Sequence, residues 1–468
     1  MPTPNYSKIM KIKLEENWTT NNNKYPLNDR EVERYLSVLP SSAQIEHAKK
    51  PFYCFLHFGM NTSTGREWGN GKETAADFKI LRIKPEQWIK SIKASGATGV
   101  ILTCKHHDGF CLWNTGTTDF NVMKSPFAED IVKLVSDECK KQGMDFGVYL
   151  SPWDMHEKSY ATPQYNDFFC RQLTELLTLY GDIFEVWFDG AKGAEAKAFE
   201  YDWERYYKIV RTLQPNANIS ICGPDIRWVG NEAGKARKSE YCVVPEFLTK
   251  AETIEKHSQQ SEEDAKKLLK ISSSDEDLGS RKVLEKNAYL TWYPAEVDVS
   301  IRKGWFASDE NESTVKSPKK LFDIYLNSVG NNSFLLLNVP PNDRGVISRK
   351  ETKVLKSLGK KISEITEKPV YEKNYGELKE TDGYLEFRFP NPKKLKYCIL
   401  KEDIKKGQRV EKFDLYILKS NGKYKRIYDG TVIGMNKIIE MKGEAVGVLL
   451  VIRQSRGTPN LSHIGFYE

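Results

Sequence analysis

Histidines, carboxylates and aromatics recur in a few short segments, each at the end of an apolar run. These are Leu56-His57-Phe58-Gly59, Glu67-Trp68-Gly69 in the loop that follows, Lys105-His106-His107-Asp108-Gly109-Phe110, Tyr149 with Trp153-Asp154, and Val186-Trp187-Phe188-Asp189-Gly190. Asp225 with Arg227, and Glu296 with Asp298, complete the set. Three classes of chemistry use such side chains. Metal-dependent hydrolysis needs His and carboxylate ligands at fixed spacing. Here His106 and His107 are adjacent, so they point to opposite faces if their strand continues, and neither H-x-H nor H-E-x-x-H occurs. No metal or other cofactor is therefore expected. Serine or cysteine catalysis lacks a G-x-S-x-G elbow, and no base is arranged beside Cys104 or Cys111. Glycoside hydrolysis needs two carboxyl groups across a sugar, with imidazoles for its hydroxyls and aromatic faces for its ring. The segments supply that inventory.

Asp189 is the candidate nucleophile. It ends the apolar run Ile183–Phe188, and Gly190 allows a tight turn directly after it. A residue in that place also commonly caps a helix or binds backbone amides. For the general acid two residues compete. Glu232 lies in a Gly-flanked loop beside Trp228, an apolar wall of the kind that keeps a carboxyl protonated near neutrality. Glu296 lies in a strand, sharing a face with Asp298, and has Arg302 as an alternative ion-pair partner. From the residues alone the two are even.

What positions these segments is a repeated unit of apolar strand, polar loop and amphipathic helix. Strand-like runs occur at 52–58, 99–104, 146–150, 183–188 and 219–222, with 241–244, 289–293 and 333–339 as the sixth to eighth. Helical periodicity follows Pro85, covers 130–141, continues through Phe168 to Leu177, and returns at 203–213 and 319–328. Continuous apolar strands alternating with such helices predict a parallel sheet buried on both faces, and about eight units fit a (β/α)8 barrel. Its active site belongs at the C-terminal ends of the strands, where the chemical segments lie. From about Lys353 only strand-like runs and turns remain, which predicts an all-β sandwich. The expected organisation is an irregular lead-in over 1–45, a catalytic barrel over 46–350 and a sandwich over 351–468. The charged stretch 252–286 is too long for an ordinary loop and reads as a surface helix or a flap.

Composition narrows the partners. The 71 basic and 64 acidic residues are interspersed, with no long basic tract, so nucleic acid is not an expected partner. Met1–Glu16 lacks the apolar centre of a signal peptide, and no apolar run is long enough to span a membrane. A soluble protein is expected, periplasmic or secreted if a leader has been removed. The 8 cysteines form no C-x-x-C pair and sit in apolar runs, which reads as buried free thiols.

The L-H-F-G, R-E-W-G, K-H-H-D-G-F and V-W-F-D-G segments together resemble glycoside hydrolase family 29, the retaining α-L-fucosidases, over most of residues 50–345. The resemblance implies that Asp189 attacks the anomeric carbon of fucose to form a covalent fucosyl-enzyme. His57, Trp68, His106, His107, Tyr149 and Trp187 would hold the sugar, with Glu67 on the same rim and Trp305 against the ring or its methyl group. Gly59-Met60-Asn61-Thr62, Cys222-Gly223-Pro224-Asp225-Ile226-Arg227-Trp228, Gly230-Asn231-Glu232 and Pro294-Ala295-Glu296-Val297-Asp298 are similar to the branch preferring 1,3 and 1,4 linkages. In that branch the acid/base falls in the G-N-E segment, which selects Glu232 and leaves Glu296 as a pocket or leaving-group contact. The implied substrate is a fucosylated oligosaccharide or glycoconjugate. Departures at Lys303 and Ala307-Ser308 fall where the remainder of the glycan would bind. An α-galactosidase-like retaining exo-glycosidase and a catalytically silent sugar-binding protein are the alternatives.

Overall fold

The structure, a computed structural model, describes residues 29–196, 199–251, 277–378 and 384–468. Eight strands form one parallel sheet: β1 (Phe52–Leu56), β2 (Gly99–Lys105), β3 (Asp145–Leu150), β4 (Glu185–Phe188), β5 (Asn218–Ile221), β6 (Arg227–Trp228), β7 (Ala295–Ser300) and β8 (Ser333–Asn338). Their spatial order is β5-β4-β3-β2-β1-β8-β7-β6, and a parallel bridge from Ser220 to Ile226 brings the two ends together. The result is a nearly closed (β/α)8-like barrel. Strands such as Phe-Tyr-Cys-Phe-Leu in β1 are buried at every position, because one face fills the barrel and the other meets helices.

Among the described residues the longer helices packed outside are α1 (Pro85–Lys93), α2 (Ile131–Gln142), α3 (Pro163–Leu179), α4 (Trp203–Leu213), α5 (Pro318–Asn327) and α6 (Arg349–Glu364). Their ends are written in local chemistry. Pro85, Pro163 and Pro318 occupy first-turn positions where a missing N–H costs nothing. Asp130, Asp202 and Ser317 accept from the backbone three residues on, and Gly143 closes α2 in the left-handed conformation.

Two of the expected barrel strands are placed differently. Residues 241–244 and 289–293 contribute Val243–Pro245 and Leu290–Trp292, which pair antiparallel in a small separate sheet. The true sixth and seventh barrel strands are Arg227–Trp228 and Ala295–Ser300. No helix separates β5 from β6, so only residues 222–226 connect them, too few for the strand-loop-helix rhythm to register. The expected change of rhythm at Lys353 also comes later. Residues 349–364 are helix α6, opened by a Ser348–Glu351 capping box, with Val354, Leu355, Leu358 and Ile362 in the barrel's core. The lead-in is less irregular than its composition suggests: Asp29–Leu36 and Ser42–Ala48 are helical, while residues 1–28 lie outside the described residues. Of the charged stretch, 252–276 lies outside them too, and Arg281–Leu284 is a single helical turn.

The C-terminal part is a β-sandwich. Strands Pro369–Lys373, Gly376–Glu377, Asn460–Tyr467, Tyr397–Glu402 and Lys437–Glu440 form one antiparallel sheet; Tyr384–Lys394, Glu444–Ser455, Val410–Leu418 and Tyr424–Gly430 form the other. Both contribute to one apolar core, including Leu400, Ile464 and Phe466 from the first and Phe413, Leu415 and Leu450 from the second. Ile399, Met435 and Ile438 instead join the barrel's core, so the two parts share a continuous apolar contact. All eight cysteines are buried and free. No helix among the described residues is long and apolar enough to cross a membrane.

Candidate active site

A cavity opens at the C-terminal end of the barrel. Asp189, Glu232, His57, Trp68, His106, His107, Tyr149, Trp187 and Trp305 all line it, joined by Trp228 and Asp298. It widens into a groove bordered by Arg66, Glu67, Lys303 and Lys316, with Trp68, Glu232 and Trp305 shared between the two. The inner cavity measures about 70 Å³ against about 830 Å³ for the groove.

Asp189 follows β4 directly, and both of its oxygens are held. The Ala191 N–H donates to Oδ1 at 2.7 Å, while the Tyr149 hydroxyl donates to Oδ2 at 2.9 Å. The backbone-binding role expected of an aspartate after a strand is therefore present, but it occupies one oxygen only. The side chain keeps 21% of its surface exposed towards the cavity. Tyr149 and Trp187 are register partners on β3 and β4, so their rings stack, with centroids 5.3 Å apart and planes 24° from parallel. Adjacent strands thus aim the phenol that orients the carboxylate.

The three histidines are fixed by what lies behind them. Ser151 donates its only hydroxyl proton to the Trp153 carbonyl at 2.7 Å, so at 2.7 Å from His107 Nδ1 it must accept. Nδ1 carries the proton, and Nε2, 3.9 Å from Asp189 Oδ2, is an acceptor. Asn338 likewise donates both amide hydrogens, to Ser300 Oγ and the Trp305 carbonyl, so its oxygen accepts from His57 Nδ1 at 3.0 Å. His106 is the opposite tautomer: the Asn61 amide nitrogen, which donates to Asp108, lies 3.4 Å from its Nδ1 and leaves Nε2 protonated. Burial pushes all three pKa values down, that of His57 to about 3. They are neutral at pH 7 and present two acceptors and one donor, a set suited to sugar hydroxyls.

His106 and His107 share the cavity, with ring centroids 4.1 Å apart, instead of pointing to opposite faces. The strand alternation behind that expectation stops at Lys105. The remainder of the K-H-H-D-G-F run is scaffold. Lys105 forms a fully buried ion pair with Asp154 at 2.9 Å, and Gly109, at φ +87°, leaves no room for a Cβ, which would lie 2.3 Å from Asp154. Asp108 accepts from the Phe110 N–H at 2.8 Å, and burial raises its pKa to about 7.

Glu296 is not among the residues lining the cavity. It is wholly buried beneath it, accepting from Trp187 Nε1 at 2.8 Å and from the Tyr53 hydroxyl. The expected pocket or leaving-group contact therefore gives way to a supporting one, under the Trp187 indole. Its neighbour Glu185 accepts from Ser220 at 2.5 Å; burial raises the pKa of both carboxyls, and for Glu185 the nearby Glu296 adds to the rise. Glu67 borders the groove and accepts from the Trp305 N–H, fixing the turn that presents that indole. Arg302 pairs with Glu351 and not with Glu296, while Asp225 and Arg227 form ion pairs with Arg211 and Glu240 away from the cavity.

Sequence reasoning placed Asp298 among the strand-end residues without giving it a role in the site, and it missed Ile221. Asp298 lines the cavity, accepts from Trp228 Nε1 at 2.9 Å, and has its pKa raised well above normal by burial and then by Glu232. Its two-residue spacing from Glu296 was visible, but not which of the two would reach the cavity. Ile221, at φ +66°, is a β-branched residue in left-handed backbone at the cavity wall. Strain of that kind collects at functional sites and has no signature in sequence.

A barrel whose C-terminal rim gathers carboxyl groups, neutral imidazoles and indoles in this way defines the class of barrel glycoside hydrolases. A family profile for α-L-fucosidases matches residues 56–366. The chain is 36% identical to α-L-fucosidase 1 of Arabidopsis thaliana, over 92% of this chain and 87% of the relative. A solved structure from Bacteroides ovatus ATCC 8483, described as a candidate α-L-fucosidase, is 40% identical and covers 97% of this chain and 78% of its own, with a TM-score of 0.83. A Ruminococcus gnavus family 29 fucosidase solved with fucose is 27% identical, covers 96% and 97%, and has a TM-score of 0.78. The chain belongs to the α-L-fucosidase family, glycoside hydrolase family 29.

Proposed function

We propose that the enzyme is a retaining exo-α-L-fucosidase in which Asp189 is the nucleophile and Glu232 the general acid and base. The observation that carries this reading is the double hold on Asp189: two donors aim its carboxylate into a cavity that Glu232 also lines. Asp189 attacks the anomeric carbon as Glu232 gives its proton to the departing glycosidic oxygen, leaving a covalent fucosyl-enzyme. Glu232, now ionised, takes a proton from water, whose oxygen displaces Asp189 and restores the original anomeric configuration. His57 and His107 accept from fucose hydroxyls and His106 donates to one, while Trp68, Trp187, Trp228 and Trp305 supply apolar walls.

The substrate class is a glycan carrying terminal α-L-fucose, with the wider groove holding the remainder of the chain. The segments around Gly59, Cys222 and Gly230 support an α1,3/α1,4 preference. Proton NMR of aryl α-L-fucoside hydrolysis should show α-L-fucose as the first product; the β-anomer appearing first rules out the covalent route. Among α1,2-, α1,3-, α1,4- and α1,6-fucosylated oligosaccharides, kcat/KM should be highest for α1,3 and α1,4. Preference for α1,2 or α1,6 refutes the linkage assignment.

A further inference from the structure

We propose that the C-terminal sandwich positions the acid/base, through a clamp made by residues 431–437 on the base of the segment that carries Glu232. This inference rests on Glu232 being the acid and base. Residues 229–242 run from β6 to strand Val243–Pro245 with no helix or strand of their own. Within it Asn231 accepts from the Ala233 N–H and donates to the Lys235 carbonyl, and Arg237 donates to the Val229 carbonyl at 2.9 Å; its middle meets the barrel, where Asn331 donates to the Arg237 carbonyl and Ala236 packs on the apolar core. The course of the segment, and with it the place of Glu232, also depends on how its two ends are anchored.

The near end is tied to the barrel, where the Val229 N–H donates to the Glu296 carbonyl at 2.9 Å. The far end is gripped from both sides. On the barrel side Asn332 donates to the Glu240 carbonyl at 2.7 Å, and the buried Glu240 carboxylate pairs with Arg227 and Arg237. On the sandwich side the hydroxyls of Thr431 and Ser239 are 2.8 Å apart, and Gln408 accepts from the Cys242 N–H at 2.8 Å. Val432 completes a buried apolar cluster with Tyr241, Val244 and Tyr293.

The clamp is itself rigid. Gly434 donates its N–H to the buried carboxylate of Glu402 at 2.7 Å, and Met435 donates to Asn332 Oδ1 at 2.7 Å. Gly434 stands at φ +61°, and a Cβ there would lie 2.1 Å from Asn332 Oδ1, so only glycine fits the joint. Asn332 thus bridges the clamp and the Glu232 segment.

General-acid help matters most when the leaving group is a poor one. Thr431→Val removes one hydroxyl–hydroxyl bond while keeping side-chain bulk, and T431V/V432A also opens the apolar contact. The expected result is a loss in kcat/KM of about fivefold to tenfold on phenyl α-L-fucoside, the factor a lost hydrogen bond is worth, with 4-nitrophenyl α-L-fucoside nearly unaffected. Thr431→Ser keeps the hydroxyl and should restore the phenyl rate. Thermal melts identify a variant that does not fold, and Thr431→Val alone then carries the test. Equal losses on both substrates, or none on either, overturn the clamp. Glu232→Ala run alongside separates the two ideas. If it is selective and the clamp variants are not, only the clamp fails; if it is unselective, the acid assignment fails and takes the clamp with it.

Discussion

Replacing Glu296 with leucine should damage the enzyme from below the cavity. The carboxylate accepts from Trp187 Nε1 at 2.8 Å and from the Tyr53 hydroxyl, all at buried positions. Leucine leaves the Trp187 indole without its acceptor, at about 1–3 kcal/mol, while the Tyr53 hydroxyl still has His47 Nε2 at 3.0 Å. Part of this is returned, because the raised pKa of Glu185 stems partly from Glu296 and that pressure disappears. The net loss should fall in the lower half of that range, against a typical domain stability of about 5–15 kcal/mol. Trp187 stacks on the tyrosine that aims Asp189, so kcat/KM should also drop by about tenfold as the floor shifts. Glutamine keeps an acceptor for Trp187 and offers its amide to Glu185, so it should stay within about 1 kcal/mol of wild type. Urea unfolding with an unchanged m-value, paired with aryl fucoside kinetics, measures both effects. A leucine variant as stable and active as wild type refutes the supporting role. So does azide rescue of Glu296→Ala, which would mark Glu296 as the acid.

Tyr149→Phe removes the hydroxyl 2.9 Å from Asp189; loss of a bond to a charged group, about 1.5–3 kcal/mol, should lower kcat/KM by about 10- to 150-fold with little change in melting temperature. Asp298→Ala strips the acceptor from the Trp228 indole on the cavity wall, and should raise KM more than it lowers kcat; an unchanged KM contradicts the placement of that wall. Asp108 is raised from 3.8 to about 7 by burial, so its contribution is present in full below pH 4 and lost as pH rises through 7. The stability of wild type relative to Asp108→Asn, followed by denaturant melts, should accordingly decline across that window, and a flat difference disproves the assignment.

The barrel was legible where strands are long and helices follow them. β1 to β5 and β8 are buried runs rich in apolar residues, and α1 to α5 carry a first-turn proline or an N-cap together with periodic apolar faces. β6 has two residues and β7 carries Glu296 and Asp298, so neither reads as an apolar strand. The paired strands at 243–245, fully buried, and 290–292, half-buried, are apolar enough to take their places in a count of eight. Helix α6 was hidden because lysines cover its outer face. In the site, residue type and strand-end position pointed to His57, His106, His107, Tyr149 and Trp187, since barrel geometry sends strand ends to one rim, whereas Trp305 came only from the family resemblance. Depth is what sequence does not encode. Glu296 and Asp298 share one face of β7, yet two residues along the strand separate a buried support from a cavity wall.

Asp189 is best tested by trapping. A 2-deoxy-2-fluoro-α-L-fucosyl donor with a reactive leaving group slows release of the intermediate, so the sugar should remain covalently bound. Intact-mass analysis should show one fluorofucosyl unit per chain, and peptide sequencing should place it on Asp189. Label on Glu232 or Asp298, or a chain inactivated without any added mass, would contradict a nucleophile held by Tyr149 and Ala191.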